Sequence, residues 1–180
     1  MRINNFNFFI TDADHVGQFK DKGITHWFTF NHPKSNYELD LKQFGDIEVF
    51  SYIFHDVFDK DIHPSVLVWP TVNDVMSIVK NGQDIKKRLE KGEQVTCLFN
   101  CAAGISRSTA AAYIVLNVIF EEWNERACWE EIRYRRPIAR PNPLMVSIAD
   151  DHLNRSFKMI APIKNCVDFS RQGNDDCLLF

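Results

Sequence analysis

The chain has 180 residues, 45% of them hydrophobic, with 15 Phe, 4 Trp and a formal net charge of −3. This length and apolar content indicate one globular domain, and the slightly acidic balance disfavours binding to nucleic acid, which requires a basic surface. Because the five cysteines show no paired spacing and no apolar stretch approaches the roughly 20 residues of a membrane span, we expect a soluble, cytoplasmic protein.

The first predicted elements are two strands. Residues 23–30 and residues 46–54 are rich in β-branched and aromatic side chains. Residues 55–70 have neither a helical nor a strand period and predict a long loop. Acidic and imidazole side chains crowd this loop, but their spacing matches no standard metal site. We therefore predict a solvated acidic loop and no bound metal.

Helices and one further strand follow the acidic loop. A helix is predicted from Thr71 or Asn73 to a stop at Gly92, and residues 94–99 form a short apolar run typical of a central strand. The helix predicted over residues 109–120 is apolar on nearly every side. We therefore expect this helix to be buried.

The last predicted helices cover residues 125–136 and 143–156, with Asn142 as the N-cap of the second. The alternation of strands and helices indicates an α/β fold with a mainly parallel sheet flanked by helices on both faces, in one domain over residues 1–156. Residues 157–180 have no clear period and predict an extended C-terminal tail. One charged helix face is predicted to be solvated, and it carries Arg133, Arg135 and Arg136.

The segment with the most distinctive chemistry joins the apolar strand to the buried helix and runs from Cys101 through five residues to Arg107 and Ser108. A loop that opens into a helix N-terminus directs backbone N–H groups at one point, and the helix dipole adds positive charge there. Arg107 adds a planar fork of donors, and the same field favours the thiolate form of a cysteine. The Ser108 hydroxyl is placed to hydrogen-bond the sulfur.

Small side chains at residues 102–104 allow the backbone of this loop to curl around a ligand, and Gly104 can adopt a positive φ. The whole segment is therefore suited to a phosphate dianion. The predicted phosphate-binding residues are Ala102, Ala103, Gly104, Ile105, Ser106 and Arg107.

These residues resemble a known signature. Cys101-x5-Arg107-Ser108 resembles that of the protein tyrosine phosphatase superfamily, and residues 103–108 look like its dual-specificity branch. Residues 23–26 resemble an early strand of these enzymes, and residues 136–142 resemble the Arg-Pro…Pro-Asn segment before their last helix. The likeness covers about residues 5–155 in the family's order.

The resemblance implies a single-domain fold with the phosphate loop between a central strand and a buried helix. It implies a cysteine-dependent phosphatase that hydrolyses phosphotyrosine and/or phosphoserine and phosphothreonine in proteins through a phospho-cysteine intermediate. Cys101, Arg107, Ser108 and an aspartate would be catalytic. Phosphate, sulfate or vanadate would occupy the site, no cofactor is implied, and we expect a monomer whose partner is a phosphoprotein substrate.

The resemblance also requires a general acid, which in the family is an Asp on a loop after the strand that precedes the long helix. Asp56 best matches that position, although 45 residues separate it from Cys101. Asp59 and Asp61 lie further along the same loop and are the second and third candidates. A second departure is Asn100, because the family usually has His immediately before the nucleophile.

Two other functions are compatible with parts of this pattern. A catalytically silent phosphatase-like module would bind phosphorylated partners, and the Asn100 substitution and the long acid loop favour it. A redox or sulfur-carrying role for Cys101 would leave Arg107 and Ser108 without a purpose. Cys97 is expected to be a core thiol, the alternative being a disulfide partner for Cys101, and Trp27 is explained by aromatic packing.

Overall fold

The computed structural model describes residues 5–34, 41–58 and 67–164. Its strands are Phe6–Asp12 (β1), His26–Asn31 (β2), Glu48–Ile53 (β3) and Val95–Cys101 (β4). Its α-helices are Val72–Glu90 (α1), Arg107–Ile119 (α2), Glu125–Arg135 (α3), Pro143–His152 (α4) and Ile160–Ile163 (α5). The four strands form one parallel sheet in the order β1-β4-β2-β3. The chain is thus the single α/β domain that the sequence predicts.

β4 lies in the middle of the sheet, between β1 and β2. It is buried at nearly every position, which is why its sequence is continuously apolar instead of alternating. The register places Asp12 of β1 beside Cys101, and Thr29 of β2 beside Asn100. The carboxyl end of β4 therefore lies where the loops that follow its two neighbours converge.

Helices flank both faces of the sheet, as predicted, but they differ in kind. The α-helices pack on one face over the larger core, to which the strands contribute residues such as Phe28, Phe99 and Cys101. Two 3-10 helices, Val16–Phe19 and Leu41–Phe44, contribute residues to the packing on the other face. A smaller core on that face consists of Val16, Ile24, Trp27, Phe44 and Leu98.

The predicted helices form with clear end signals. The Thr71 hydroxyl accepts a hydrogen bond from the Asp74 N–H at 3.1 Å, and the Asp74 carboxylate accepts one from the Thr71 N–H at 2.8 Å, which starts α1. Just after α1, Gly92 adopts a φ of 83°. All 13 residues of α2 are buried, as expected of a core helix. None of the helices in the described ranges combines the length and apolarity needed to cross a bilayer.

The chain after α4 departs from the sequence prediction, because the helix predicted over residues 143–156 ends at His152 and the tail predicted from residue 157 is not extended at its start. Ile160–Ile163 form the short helix α5, and Met159 and Ile163 are fully buried. Before α5, non-glycine residues adopt left-handed φ values of 53°, 54° and 65°, at Asn154, Ser156 and Phe157 respectively. Such values are uncommon outside glycine, so tertiary contacts hold them in place. The rest of the predicted tail, residues 165–180, lies outside the described residues.

Asp150 at the end of α4 supplies that contact. Its carboxylate is buried and accepts hydrogen bonds from the Phe157 N–H at 2.6 Å and the Met159 N–H at 2.7 Å. Asp150→Ala removes both acceptors, so we expect the free energy of unfolding to fall by about 2–3 kcal/mol in urea denaturation. The neighbouring Asp151 is exposed, and Asp151→Ala is expected to change stability by less than about 0.5 kcal/mol. Equal effects of the two substitutions would contradict this assignment.

Candidate active site

Cys101 lies at the carboxyl end of β4, where the chain turns into the loop that leads to α2. Its side chain is buried, and its Sγ lies 3.2 Å from the Ser108 Oγ in the first turn of α2. A hydroxyl at this distance can donate a hydrogen bond to a sulfur that carries negative charge. The structure therefore brings together the two residues that the sequence places at either end of the loop.

The N-terminus of α2 has no side-chain cap. Ser106 occupies the N-cap position, but its hydroxyl donates to Asp56 Oδ1 at 2.7 Å and not to the helix backbone. Without a side-chain cap, the first-turn N–H groups and the positive end of the helix dipole are available to an anion. The helix N-terminus is in this respect suited to phosphate.

Gly104 adopts a φ of 67°, and no other residue fits at its position. A Cβ atom there would lie 2.6 Å from the carbonyl carbon and oxygen of Thr11 and 2.8 Å from Arg136 Nη2. The loop is therefore pressed against the end of β1 on one side and against Arg136 on another. The sequence prediction of a positive φ at Gly104 is confirmed.

Arg136 holds the loop from outside. Its Nη2 donates to the Ala103 carbonyl at 2.9 Å and its Nε donates to the Gly104 carbonyl at 3.0 Å. Because these carbonyls face Arg136, the N–H groups of the same two peptide units point the other way, toward the position that an anion would occupy. The sequence predicts a solvated Arg136, which is wrong because the residue follows α3 and reaches back to the loop.

Asp12 at the end of β1 supports this arginine. Its Oδ2 lies 3.6 Å from Arg136 Nη2, and its Oδ1 lies 2.5 Å from His15 Nδ1. Burial alone would raise the pKa of Asp12, but the hydrogen bond and the charge of His15 outweigh burial and lower it overall. Asp12 is therefore ionised at neutral pH and balances the charge of Arg136.

Arg107 is buried at the start of α2, and its guanidinium is only partly satisfied. Nη1 donates to the Phe54 carbonyl at 2.8 Å, whereas the buried Nε has no hydrogen-bond partner among the described residues. Of the carboxylate oxygens in the described ranges, Asp56 Oδ2 is the nearest to Nε, at 3.9 Å. A buried donor without an acceptor is unfavourable, and a phosphate oxygen would provide that acceptor.

Asp56 is the predicted acid that the structure brings to the loop. Its Oδ1 accepts hydrogen bonds from Ser106 Oγ and from Asn142 Nδ2, both at 2.7 Å. Asn142 also accepts from the Met145 N–H at 3.1 Å, which makes it the predicted N-cap of α4. The carboxylate thus lies between the loop that follows Cys101 and α4, with Oδ2 on the side of Arg107. The other candidate acids, Asp59 and Asp61, lie outside the described residues.

The other described cysteines are core thiols. Cys97 and Cys128 are fully buried, and burial raises the pKa of the Cys97 thiol well above its usual range and that of Cys128 to about 12. Cys97 precedes Cys101 by four residues on β4, so their Cα atoms are about 13 Å apart. A disulfide requires less than about 7 Å, so the alternative of Cys97 as a disulfide partner is wrong.

Three residues of the site are not assigned to it from sequence chemistry alone: Arg136, Asn142 and Asp12. The first two lie within the Arg-Pro…Pro-Asn segment, so the resemblance marks the segment without saying what the side chains contact. Asp12 has no sequence signal, because its place depends on the pairing of β1 with β4. Contacts across distant parts of the chain account for all three.

Comparisons with known proteins bear on the fold. A scan against protein-family models and a search of the curated proteins gave no match. Among solved structures, the human tyrosine phosphatase-like serine/threonine/tyrosine-interacting protein is 16% identical with a TM-score of 0.59, and the match covers 84% of this chain and 93% of that one. Human DUSP28 is 15% identical with a TM-score of 0.57, over 86% and 96% of the two chains. DUSP15 is 20% identical with a TM-score of 0.53, over 97% and 96%.

At these identities the likeness establishes the fold. The parallel sheet, the Cys101 loop at the end of its central strand and the buried helix after it agree with the resemblance seen in the sequence. The chain therefore has the same fold as these dual-specificity phosphatase structures.

Proposed function

We propose that this protein hydrolyses phosphate monoesters with Cys101 as the nucleophile. The observation that carries the proposal is the buried Nε–H of Arg107, which has no hydrogen-bond partner in the part of the chain that the structure describes. It lies beside a loop whose Ala103 and Gly104 carbonyls are turned outward to Arg136. Such an arrangement offers donors to an oxyanion, and the Asp56 carboxylate beside it, 3.9 Å from the Arg107 Nε, is the group proposed below to carry a proton. Cys101 lies at the base of the same loop.

The proposed first step is in-line attack of the Cys101 thiolate on phosphorus. The Sγ–P bond forms while the ester P–O bond breaks, and Arg107 and the loop N–H groups hold the three equatorial oxygens. Asp56 donates a proton to the leaving oxygen. In the second step water attacks the phospho-cysteine, Asp56 takes a proton from that water, and the sulfur departs with a hydrogen bond from Ser108.

The contacts of Asp56 support its place in this scheme. Ser106 and Asn142 both donate to Oδ1, so Oδ2 is the oxygen that remains for the proton. We expect Asp56→Asn to lower kcat by about 10²–10³-fold for an alkyl phosphate, whose leaving oxygen needs the proton. For an aryl phosphate with a good leaving group, the same substitution is expected to slow the first chemical step far less.

Asparagine keeps an oxygen that can accept from Ser106 and Asn142, so the loop geometry is preserved in this variant. Asn142→Asp is the matched variant for the placement of Asp56. It leaves the Asp56 carboxyl in the chain but replaces the Asn142 amide, which donates to Asp56 Oδ1, with a carboxylate. A kcat for the alkyl phosphate that is unchanged in Asp56→Asn would transfer the role to Asp59 or Asp61.

For the substrate class we propose phosphoproteins, with phosphate on tyrosine and/or on serine and threonine. The loop residues 102–106 carry no basic side chain that would select a multiply phosphorylated headgroup. The DUSP15 and DUSP28 folds support a protein phosphatase of the dual-specificity type. We further propose a cytoplasmic, monomeric enzyme without a cofactor.

The function is tested with the full chain and a chromogenic aryl phosphate. Turnover should release inorganic phosphate, and rapid acid quenching should trap a phosphoryl group on the peptide that contains Cys101, detected by mass spectrometry. Vanadate should inhibit competitively. The mechanism would be contradicted by turnover that leaves no phosphoryl group on the Cys101 peptide or that vanadate does not inhibit.

A binding module is the second candidate, and the name of one similar structure, a phosphatase-like interacting protein, favours it. In that case calorimetry would show phosphate or phosphopeptide binding by a chain that releases no phosphate. Measuring phosphate release together with calorimetric binding therefore distinguishes a catalyst from a binding module.

A further inference from the structure

Asn100, the residue directly before Cys101, is held from the face of the sheet that carries the smaller core. Trp27 Nε1 donates a hydrogen bond to Asn100 Oδ1 at 2.7 Å, and both side chains are buried. An indole N–H can only donate, so the bond fixes which end of the carboxamide faces Trp27. The bond links β2 to the end of β4 through side chains, in addition to the backbone ladder.

Trp27 is itself firmly placed. Its ring packs against Phe44 at a centroid distance of 4.9 Å within the smaller core. Its register partner on β4 is Leu98, so the indole reaches two residues along the strand toward the catalytic loop. The hydrogen bond therefore connects a rigid aromatic cluster to the residue that precedes the nucleophile.

Within the described residues, the buried carboxamide of Asn100 is only half satisfied. The Asn100 Nδ2 is buried without a hydrogen-bond partner among the described residues, and so is the Thr29 hydroxyl oxygen on the neighbouring strand. A buried amide donor without an acceptor is unfavourable, but an apolar side chain at position 100 would in turn leave the buried Trp27 Nε1–H without the acceptor that Asn100 provides. Among the described residues, the side chain of Asn100 makes one hydrogen bond, the bond to Trp27.

We propose that Trp27 and Asn100 are positioning residues for Cys101, with Trp27 acting through Asn100. The proposal rests on the phosphatase function proposed above. In-line attack requires the sulfur within a fraction of an ångström of its productive place, and on the β2 side the ladder ends at Asn100, one residue before Cys101. The Trp27–Asn100 bond holds the backbone that leads directly into Cys101.

The test is a double-mutant cycle of Trp27→Phe, Asn100→Ala and the combination. We expect each single substitution to lower kcat about tenfold with KM within about twofold, because the sulfur and not the phosphate site is displaced. The combination should be no slower than Asn100→Ala alone. The same variants are treated with iodoacetamide, and the alkylation rate at the Cys101 peptide should change with the same non-additivity.

Phe44→Leu is the matched control, because it disturbs the packing of Trp27 but leaves the indole N–H in place. It should lower the thermal midpoint while kcat stays within about twofold of the unmutated value. An equal loss of kcat in Phe44→Leu and Trp27→Phe, or multiplicative effects in the combination, would overturn the proposal. If the unmutated chain shows no turnover, the proposed function fails. The alkylation cycle then still decides whether the pair positions Cys101.

Discussion

Replacing Cys101 by serine is expected to abolish the hydrolysis of an aryl phosphate, with kcat falling more than about 10⁴-fold. A serine hydroxyl is not ionised at neutral pH and is a poor nucleophile without an adjacent base. The substitution is small, and the backbone N–H groups, Arg107 and the Arg136 contacts to the loop remain in place. We therefore expect calorimetry to show that Cys101→Ser still binds phosphate or vanadate.

Cys128→Ala is the matched control for loss of a buried thiol. Cys128 lies on α3, and its raised pKa keeps it un-ionised at neutral pH, so kcat should be unaffected. If Cys101→Ser retained a rate within tenfold of the unmutated protein, another nucleophile would have to be sought and the phospho-cysteine mechanism would be wrong.

Arg107→Lys is expected to lower kcat about 10³-fold and to weaken vanadate binding at least tenfold. Lysine keeps the charge but loses the planar pair of donors that can hold two oxygens of a transferring phosphoryl group. The ammonium cannot both replace the bond to the Phe54 carbonyl and present a donor where Nε now lies. Steady-state kinetics and vanadate titration measure the two effects separately.

Arg126→Lys controls for a change of arginine to lysine elsewhere, because Arg126 is exposed and pairs with Glu130 on the surface of α3. It should be silent in both assays. The assignment of Arg107 as the phosphate ligand fails if its lysine variant loses thermal stability but keeps its kcat and its affinity for vanadate. Arg107 would then serve only to hold the chain at Phe54.

Sequence patterns predict most of the fold because the buried elements have strong local signals. β4 is a continuous apolar run, α2 is apolar on nearly every side, and α1 begins at a capping box. β1 is not predicted, because Asn7 interrupts a short apolar run at the edge of the sheet. Its place follows from pairing with β4, a contact about 90 residues away in the chain that no local pattern reports.

The residues of the candidate site likewise fall into those that local sequence predicts and those that depend on distant contacts. The loop from Cys101 to Ser108 is contiguous, so its chemistry can be read directly. Arg136 is misassigned as solvated, and Trp27 is explained by packing alone, because their decisive hydrogen bonds are made to distant residues. Asp56 is the intermediate case. Its position is predicted from the resemblance, but its anchoring by Ser106 and Asn142 is visible only in three dimensions.

The order of strands has a consequence for how the chain acquires its active site. β1 and β2 follow each other in sequence but are not neighbours, because β4 lies between them. Until β4 is available, the first half of the chain can pair β2 with β3 but leaves β1 and one edge of β2 unmatched. Pairings between segments this far apart in sequence form slowly. The strand that carries Cys101 is therefore also the strand that closes the sheet, and recovery of the proposed activity on refolding would report completion of the entire fold. During synthesis, the unpaired edges of β1 and β2 remain open to other chains until residue 101 has emerged.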